Sequence, residues 1–500
     1  MKSDLVINAP RQGIAQSPHV GFADVRNLDL SFPGIVRLNN LVAKASSTTV
    51  VTTVQWMVTN PATPTEKYAL DSAGKVYKST DTGATWALMT GNTQTSCHGN
   101  GLAIFKNYLV VARDAFLDVC GDGSATGITN ANWSNSWKAI DSDVLWHPML
   151  ISSNDGKLYG GAGRYVYSLD ENSGQTFAPG TAGTYTFTAQ ALDLPSSYRI
   201  KCVEELGNNL MCGTWQGTNV YDLRIADIFP WDRSAVSFGQ PVKMCEHGVS
   251  AMLNTGNSLI VLAGIGGTVY RCDGVNAIPI AQIPQGIADI SGGKYLEWLP
   301  GAICNYKGRV FFGLSSGGSA TTLDGMGVWS LVQTGQGNIL NLEHGISTGN
   351  YGATTTVKIG ALLPATRDNL LIGWRDDTTY GIDNITVTSF NTSYSGYFIS
   401  PLYIVGTHGQ PRKFSELEIQ LERPLRTNEG IKVAYRPNLT ASFTDIGTYD
   451  FATYGAELSH NAVFYLGTTN MDIAEVELIE IKVSLTGTTT TPGFRNVILR

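Results

Sequence analysis

One phrase recurs along the chain: an apolar strand, a turn that contains glycine, and a second strand that carries an aromatic residue. Clear copies occupy residues 67–79, 157–168, 210–222 and 259–272, and looser copies end at residues 330 and 383. Their aromatic residues are Tyr77, Tyr167, Tyr221, Tyr270, Trp329 and Tyr380, at intervals of 90, 54, 49, 59 and 51 residues. The first interval is double, and residues 107–121 fill it with a seventh copy of the same layout. Seven units of about 50 residues match the length of a four-stranded blade, so the repeat predicts a seven-bladed β-propeller.

Short strands on either side of the phrase complete each predicted blade. Residues 54–58, 101–105 and 301–305 precede copies of the phrase and are predicted as innermost strands. Residues 85–89 and 136–140 follow copies and alternate with a period of two, which predicts outer strands. A sustained helical pattern is absent from the sequence, so we expect an all-β protein.

The pattern changes near residue 396, where the phrase stops and longer alternating strands begin. Within residues 414–422, the Leu, Ile and Leu at 417, 419 and 421 alternate with Glu and Gln, as in a sheet with one dry side. Residues 431–435, 462–466 and 476–485 supply further strands. These features predict a propeller over 50–395 and a β-sandwich over 396–500. Residues 1–49 contain three prolines and no copy of the phrase, so we predict an extended N-terminal arm.

Charge and composition exclude several classes of protein. The 34 basic and 41 acidic residues give a net charge of −7, and no dense basic cluster is present, which argues against sequence-specific binding of nucleic acid. The longest apolar run, residues 259–265, is far shorter than a membrane span. Together with an N-terminus that lacks an apolar core, this predicts a soluble chain without a secretory signal or membrane insertion. Seven scattered cysteines lack the spacing of a disulfide framework or zinc site, so reduced thiols and no metal or cofactor are expected.

The segment from Ser79 to Trp86 fits the Asp-box pattern S-x-D-x-G-x-T-W at every defined position. It resembles the hairpin turn of sialidase-type and sortilin-type propellers. Its five defined residues, to which we assign a structural role, are Ser79, Asp81, Gly83, Thr85 and Trp86. In such a turn the Ser and Asp side chains bind backbone amides, and glycine permits a positive φ. Residues 168–177 look like a second, degenerate copy with two extra residues.

Three tryptophans, Trp133, Trp137 and Trp146, lie within one short stretch and are candidates for a surface contact, because exposed aromatic rings stack on sugar faces. A packing role is the stronger interpretation. Trp137 takes the outer-strand position that Trp86 takes one blade earlier, and the other two flank the first strand of the next blade.

A sialidase-like glycoside hydrolase is the enzymatic alternative. That family needs three clustered arginines, a Tyr/Glu nucleophile pair and an acidic proton donor, and none of these can be assigned here. Arg37, Arg113, Arg164 and Arg271 are available, but no motif surrounds them. We therefore predict no catalytic residues and no enzyme.

Both ends of the chain resemble virion proteins of tailed bacteriophages. The N-terminal phrase is SPHVGFADVRNLD, residues 17–29, followed by FPGIVR, residues 32–37. The C-terminal features are Arg412-Lys413-Phe414 before an alternating strand, Tyr435-Arg436 in the next, and TPGFRNV, residues 491–497, after the last. Together they cover roughly a quarter of the chain.

The resemblance implies a structural protein at the distal end of a phage tail, of the nozzle or hub type, in a homo-oligomeric ring, with a hexamer favoured. The implied partners are other tail proteins and passing DNA that is not bound by sequence. The implied location is the virion tail after assembly in the host cytoplasm. A glycan-binding receptor module of the same tail remains an alternative.

Overall fold

The computed structural model describes residues 5–8, 24–30, 35–46, 50–92, 97–142, 145–216, 226–234, 237–244, 246–283, 294–318, 326–334, 337–344, 357–390, 396–406, 411–454, 459–466, 476–487 and 490–500. Strands dominate these residues, and the one α-helix among them is α1 (Phe451–Tyr454), so the prediction of an all-β protein is confirmed. Contacts divide the chain into two compact units. The first comprises Met1–Val42, Val328–Gly352 and Thr386–Arg500, and the second comprises Ala43–Gly327 and Ala353–Ile385.

Five antiparallel four-stranded sheets follow one another in the second unit, each with its strands in chain order. The first is β6 (Val54–Thr59), β7 (Lys67–Asp71), β8 (Val76–Ser79) and β9 (Ala87–Leu88). The second is β10 (Gly101–Phe105), β11 (Tyr108–Ala112), β12 (Phe116–Cys120) and β13 (Trp133–Ala139). The third is β14 (Met149–Ile151), β15 (Leu158–Ala162), β16 (Tyr165–Glu171) and β17 (Tyr185–Asp193). The fourth is β18 (Tyr198–Leu206), β19 (Asn209–Gln216), β20 (Asp227–Trp231) and β21 (Val242–Lys243), and the fifth is β22 (Val249–Asn254), β23 (Leu259–Ala263), β24 (Thr268–Cys272) and β25 (Ala277–Gln282).

Further strands follow these five sheets along the chain. The strands β26 (Lys294–Glu297) and β27 (Ile303–Tyr306) both pair with β28 (Arg309–Gly318). The hairpin β29 (Gly327–Thr334) and β30 (Gly337–His344) follows in the chain. The last sheet has the order β31 (Val357–Pro364), β32 (Asn369–Asp376), β33 (Thr379–Phe390) and β5 (Asn40–Ser46), so a strand from near the N-terminus lies at its edge.

The first strand of each sheet packs against the first strand of the next. The contacts run from β6 to β10, β14, β18, β22, β27 and β31, and β31 packs against β6 again. Strands β6, β10 and β27 contain most of the residues predicted as innermost. Of the predicted outer strands, β9 contains two residues of 85–89, and β13 contains four residues of 136–140. Between adjacent sheets the core is apolar: Tyr68 and Leu70 pack with Ile104 and Leu109, for example, and all four are buried.

The first unit contains two sheets that include strands from the start of the chain. Its other strands are β1 (Leu5–Asn8), β2 (Asp24–Arg26), β3 (Leu28–Asp29), β4 (Arg37–Leu38), β34 (Gly396–Ile399), β35 (Tyr403–Ile404), β36 (Glu416–Leu421), β37 (Gly430–Arg436), β38 (Thr444–Asp450), β39 (Asn461–Tyr465), β40 (Leu478–Thr486) and β41 (Phe494–Leu499). One sheet has the order β1-β41-β36-β39, and the other has the order β2-β34-β40-β37-β38, with β35 also paired to β40. A separate pair joins β3 and β4.

The two units differ from the predicted domains, whose boundaries were placed at residues 49 and 395. The difference arises because N-terminal strands pair with strands from later in the chain. Strand β1 pairs with β41 in a register that places Ile7 opposite Val497, and β2 pairs with β34. Strands β1, β2 and β5 therefore lie at sheet edges, whereas an extended arm was expected. Backbone hydrogen bonding explains the difference, because an edge strand offers donors and acceptors to any segment that reaches it.

Candidate functional site

The Asp-box turn joins β8 to β9 and is closed by its own side chains. The Ser79 hydroxyl accepts the Gly83 backbone N–H at 2.9 Å and donates to Asp81 Oδ1 at 2.7 Å. Asp81 accepts the Thr85 backbone N–H at 2.8 Å and the Thr85 hydroxyl at 2.5 Å. Burial raises the pKa of the Asp81 carboxyl, but these hydrogen bonds outweigh it and hold the pKa below its usual range. The polar groups of the motif are thus used within the turn.

The Gly83 and Trp86 positions tie this turn to the neighbouring sheet. Gly83 has a φ of +94°, and a Cβ atom there would lie 2.5 Å from Leu371 Cδ1. Trp86 donates its Nε1–H to the Gly83 carbonyl at 3.0 Å and is buried in a cluster that includes Leu371 and Ile382. These contacts are compatible with the structural role that the sequence predicts.

The degenerate second copy has a different hydrogen-bond arrangement. Glu171 Oε2 accepts the Phe177 backbone N–H at 2.8 Å, whereas Asp170 pairs with Lys157 at 3.0 Å. Phe177 is buried and makes edge-to-face contacts with Phe105 and other rings. Glu171, and not Asp170, is thus the carboxylate that accepts a backbone amide in this turn.

Two of the three candidate tryptophans lie on β13, the outer strand of the second sheet. Trp133 is half-buried and packs against the cluster around Leu102 and Ile104. Trp137 is also half-buried; its ring lies 5.1 Å from that of Tyr185, and its Nε1–H donates to the Pro179 carbonyl at 2.9 Å. Both rings are therefore engaged in packing.

The third candidate, Trp146, lies apart from the other two and lines a cavity. This cavity has a volume of about 370 Å³. Its wall combines aromatic rings and ionisable groups from the part of the chain between the second and the sixth sheets. These residues are Trp146, Lys201, Trp215, His247, Glu297 and Trp298. Trp215 lies at the end of β19 and Lys201 within β18, so neighbouring strands of one sheet supply both a ring and a charge.

Lys201 is the central charged group of this cavity, although only 7% of the residue is exposed. Its Nζ donates to Ser250 Oγ at 3.0 Å and lies 5.2 Å from the Trp146 ring centroid and 6.0 Å from that of Trp215. Burial lowers the pKa of the Lys201 ammonium, and nearby Glu297 partly opposes that effect. Within the described part of the chain, no carboxylate forms an ion pair with Lys201.

Glu297 faces the same cavity but has its own cation. Lys358 Nζ pairs with Glu297 Oε2. Burial raises the pKa of the Glu297 carboxyl, yet Lys358 and Lys201 outweigh it and keep the pKa below its usual range. Because Glu297 and Lys358 balance each other, a protonated Lys201 gives the site a net positive charge.

Two further polar atoms of the wall are buried. His247 Nδ1 and Trp298 Nε1 have no hydrogen-bond partner among the described residues. A buried polar atom without a partner carries a desolvation cost of about 1–3 kcal/mol, which a ligand or water can remove. The cavity thus offers the charge of Lys201, whereas these two polar atoms are enclosed by the protein.

Sequence reasoning did not find Lys201 or Glu297. The available signal was a charged residue within an apolar run, as in RIKCV around Lys201 and YLEWL around Glu297. Charged residues are rarely fully buried unless they have a partner or a function.

Three of the four arginines considered for a sialidase site form ion pairs elsewhere, and Arg271 is exposed on β24. Arg113 Nε lies 2.5 Å from Asp118 Oδ2, and Arg164 Nε lies 3.1 Å from Asp193 Oδ1. Arg37 pairs with Glu422. Among the residues that the structure describes, no group of three or more His, Cys, Asp or Glu side chains is placed to hold a metal ion. The described helix is too short to cross a membrane.

Comparison with known proteins gives only distant similarity. No protein-family model matches the sequence, and no curated protein matches it. The structure of YCF48 bound to D1 peptide is 11% identical over 70% of this chain and 96% of that chain, with a TM-score of 0.41. The RRP9 WD40 repeats are 12% identical over 70% and 99%, with a TM-score of 0.44. Raptor from Chaetomium thermophilum is 11% identical over 70% and 29%, with a TM-score of 0.45. Similarity at this level decides neither the activity nor the partners of the chain.

Proposed function

We propose that this chain is a non-enzymatic structural protein of a tailed-bacteriophage virion, located at the distal end of the tail. In this proposal a seven-bladed β-propeller is joined to a β-sandwich, and copies of the chain form a ring around the path of the DNA. Other tail proteins are its neighbours. The resemblance of the two chain ends to phage tail proteins motivates the proposal.

The closed series of innermost strands supports seven blades. Seven first strands pack one against the next, and the seventh, β31, packs against the first, β6. The edge position of β5 beside β33 supports closure by a strand from the opposite end of the sequence. In a propeller of this kind, radial repetition leaves only short and protected edges.

Ring contacts between its two sheets support the sandwich. Phe398 of β34 stacks on Phe494 of β41 with the ring centroids 5.3 Å apart. Tyr449 of β38 meets Phe464 of β39 at 6.5 Å. Both pairs join one sheet to the other through apolar side chains, as expected of packed sheet faces.

One observation carries the structural role: strands from the first 46 residues are paired with strands from the last 125 or so. The β1 strand pairs with β41, β2 with β34, and β5 lies beside β33. To separate these strands, a pulling force must break several backbone hydrogen bonds at once, because each pairing joins distant parts of the chain. Such closure suits a particle component that bears load.

The acidic charge is compatible with DNA that passes without being held. At a net charge of −7 the chain repels phosphates on average, so a lined channel would let a duplex slide. Sedimentation of the purified chain tests the ring: we expect a closed oligomer, with a hexamer favoured, and a monomer at micromolar concentration would contradict it.

Immunogold electron microscopy tests the location. An antibody against this chain is applied to phage-like particles from the source lysate, and the same antibody pre-adsorbed with purified chain is the control. Gold at the tail end is the expected result. Unlabelled particles, with the chain free in the soluble fraction, would overturn the proposal.

A further inference from the structure

We propose that the cavity at Lys201 binds one acidic sugar residue, with the sugar carboxylate on the Lys201 ammonium. This site goes beyond the proposed place in a virion and does not depend on it. Its evidence is the combination of a nearly buried cation and aromatic walls around one cavity.

The Lys201 ammonium determines the charge of the ligand. An ammonium carries three N–H donors, and among the described residues Ser250 Oγ is the one oxygen that Lys201 contacts. Lys201 is almost fully buried, so the remaining donors need an acceptor inside the cavity. A carboxylate provides two oxygens and the opposite charge.

Charge balance favours a monoanion over a phosphate or a cation. Glu297 is matched by Lys358, so a protonated Lys201 leaves one positive charge uncompensated. A phosphate dianion would bring a second negative charge close to Glu297. A cationic ligand would meet the ammonium of Lys201, which already lies over the Trp146 ring.

The rest of the wall fits a sugar better than a purely apolar acid. Hydroxyl groups both donate and accept, and the wall offers the Glu297 carboxylate as an acceptor. Aromatic side chains beside them suit the C–H faces of a pyranose. The volume of about 370 Å³ is at the low end for a ligand pocket, so one residue fits better than an oligosaccharide.

Titration of the full-length purified chain tests this proposal, with tryptophan fluorescence and saturation-transfer NMR as readouts. The probes are glucuronate and N-acetylneuraminate, which distinguish the two sources of a sugar carboxylate, and the controls are glucose and acetate. We expect at least one acidic sugar to bind about tenfold or more tightly than both controls. Equal binding of glucose would overturn the role of the carboxylate, and equal binding of acetate would overturn the role of the sugar ring.

Variants locate the site. Lys201→Met should weaken acidic-sugar binding about tenfold or more, because it removes the ammonium but keeps an unbranched side chain. Lys157→Met is the matched control: this lysine pairs with Asp170 at a half-exposed position and should leave binding unchanged. If Lys201→Met does not fold, His247→Ala decides, since loss of its ring should weaken acidic-sugar binding several-fold. The proposal would be overturned if folded Lys201→Met bound acidic sugar with wild-type affinity. The same result in His247→Ala would overturn it where Lys201→Met does not fold. Either result would leave the immunogold test of the tail location unaffected.

Discussion

Replacement of Glu205 by glutamine should destabilise the second unit at neutral pH. Glu205 lies on β18 and is only 5% exposed. Its carboxylate accepts the Ser153 backbone N–H at 2.9 Å, the Ser153 hydroxyl at 2.6 Å and Asn154 Nδ2 at 3.1 Å. Arg233 Nη1 donates to it at 2.6 Å and also to Ser152 Oγ at 2.8 Å. Glutamine cannot satisfy this set of donors, because its amide nitrogen is itself a donor.

The lowered pKa of Glu205 gives the size of the expected loss of stability. Burial raises the pKa of the Glu205 carboxyl, but hydrogen bonds from Ser153, Ser152 and Arg233 outweigh it and lower the pKa from 4.5 to about 2. That difference corresponds to about 3 kcal/mol of folding free energy. Since the folded-state pKa is the lower one, this stabilisation is present above about pH 4.5 and is lost as the pH falls towards 2. Glu205→Gln should therefore cost about 3 kcal/mol at pH 7 and much less near pH 2.

The adjacent residue provides a control of opposite sign. Burial raises the pKa of the Glu204 carboxyl from 4.5 to about 7. Its ionisation in the folded protein is therefore penalised, by up to about 3 kcal/mol above pH 7, and the penalty disappears below about pH 4.5. Glu204→Gln should raise stability at pH 8 and leave it nearly unchanged at pH 4.

Urea unfolding followed by tryptophan fluorescence measures both effects. Nine of the ten tryptophans belong to the second unit, so the signal reports on the unit that contains both glutamates. The midpoint for Glu205→Gln should fall at pH 7, and that for Glu204→Gln should rise at pH 8. An unchanged midpoint in Glu205→Gln, or a shift of the same sign in both variants, would refute the reasoning.

Other variants and reagents probe single features of the second unit. Gly83→Ala should cost about 1–3 kcal/mol, seen as a lower melting temperature, because φ is +94° and a new Cβ would collide with a leucine; an unchanged melt would contradict this. Asp118→Asn should cost about 3 kcal/mol in urea unfolding, because it leaves the buried Arg113 guanidinium without its carboxylate; a cost below 1 kcal/mol would show that the pair contributes little. Cys212 should resist a thiol reagent in the folded chain, because burial raises the pKa of its thiol to about 12. Cys97, which is half-buried, should react before Cys212, and the reverse order would contradict the described burial.

Local features of this protein follow from the sequence alone. The alternating strands and glycine turns of the repeat correspond to the four-stranded sheets, and the hydrogen bonds of the Asp-box turn join residues at most four apart. Interactions over so few residues depend on the order of side chains along the chain, which the sequence shows directly.

Closeness in the sequence did not show which of the candidate tryptophans lie together in the structure. Trp133, Trp137 and Trp146 lie within 14 residues, yet the first two pack on β13 and the third lines the Lys201 cavity. The reason is that Trp146 follows the last strand of one sheet and leads into the next, so the chain changes its surroundings between residues 139 and 149.

Only the tertiary structure shows which residues form the candidate site and which strands the N-terminal strands pair with. Lys201 and Glu297 are 96 residues apart in the sequence, yet both line the same cavity. Ile7 and Val497 pair across almost the whole chain. Backbone pairing and burial act between whatever segments the fold brings together, and the sequence does not display those distances.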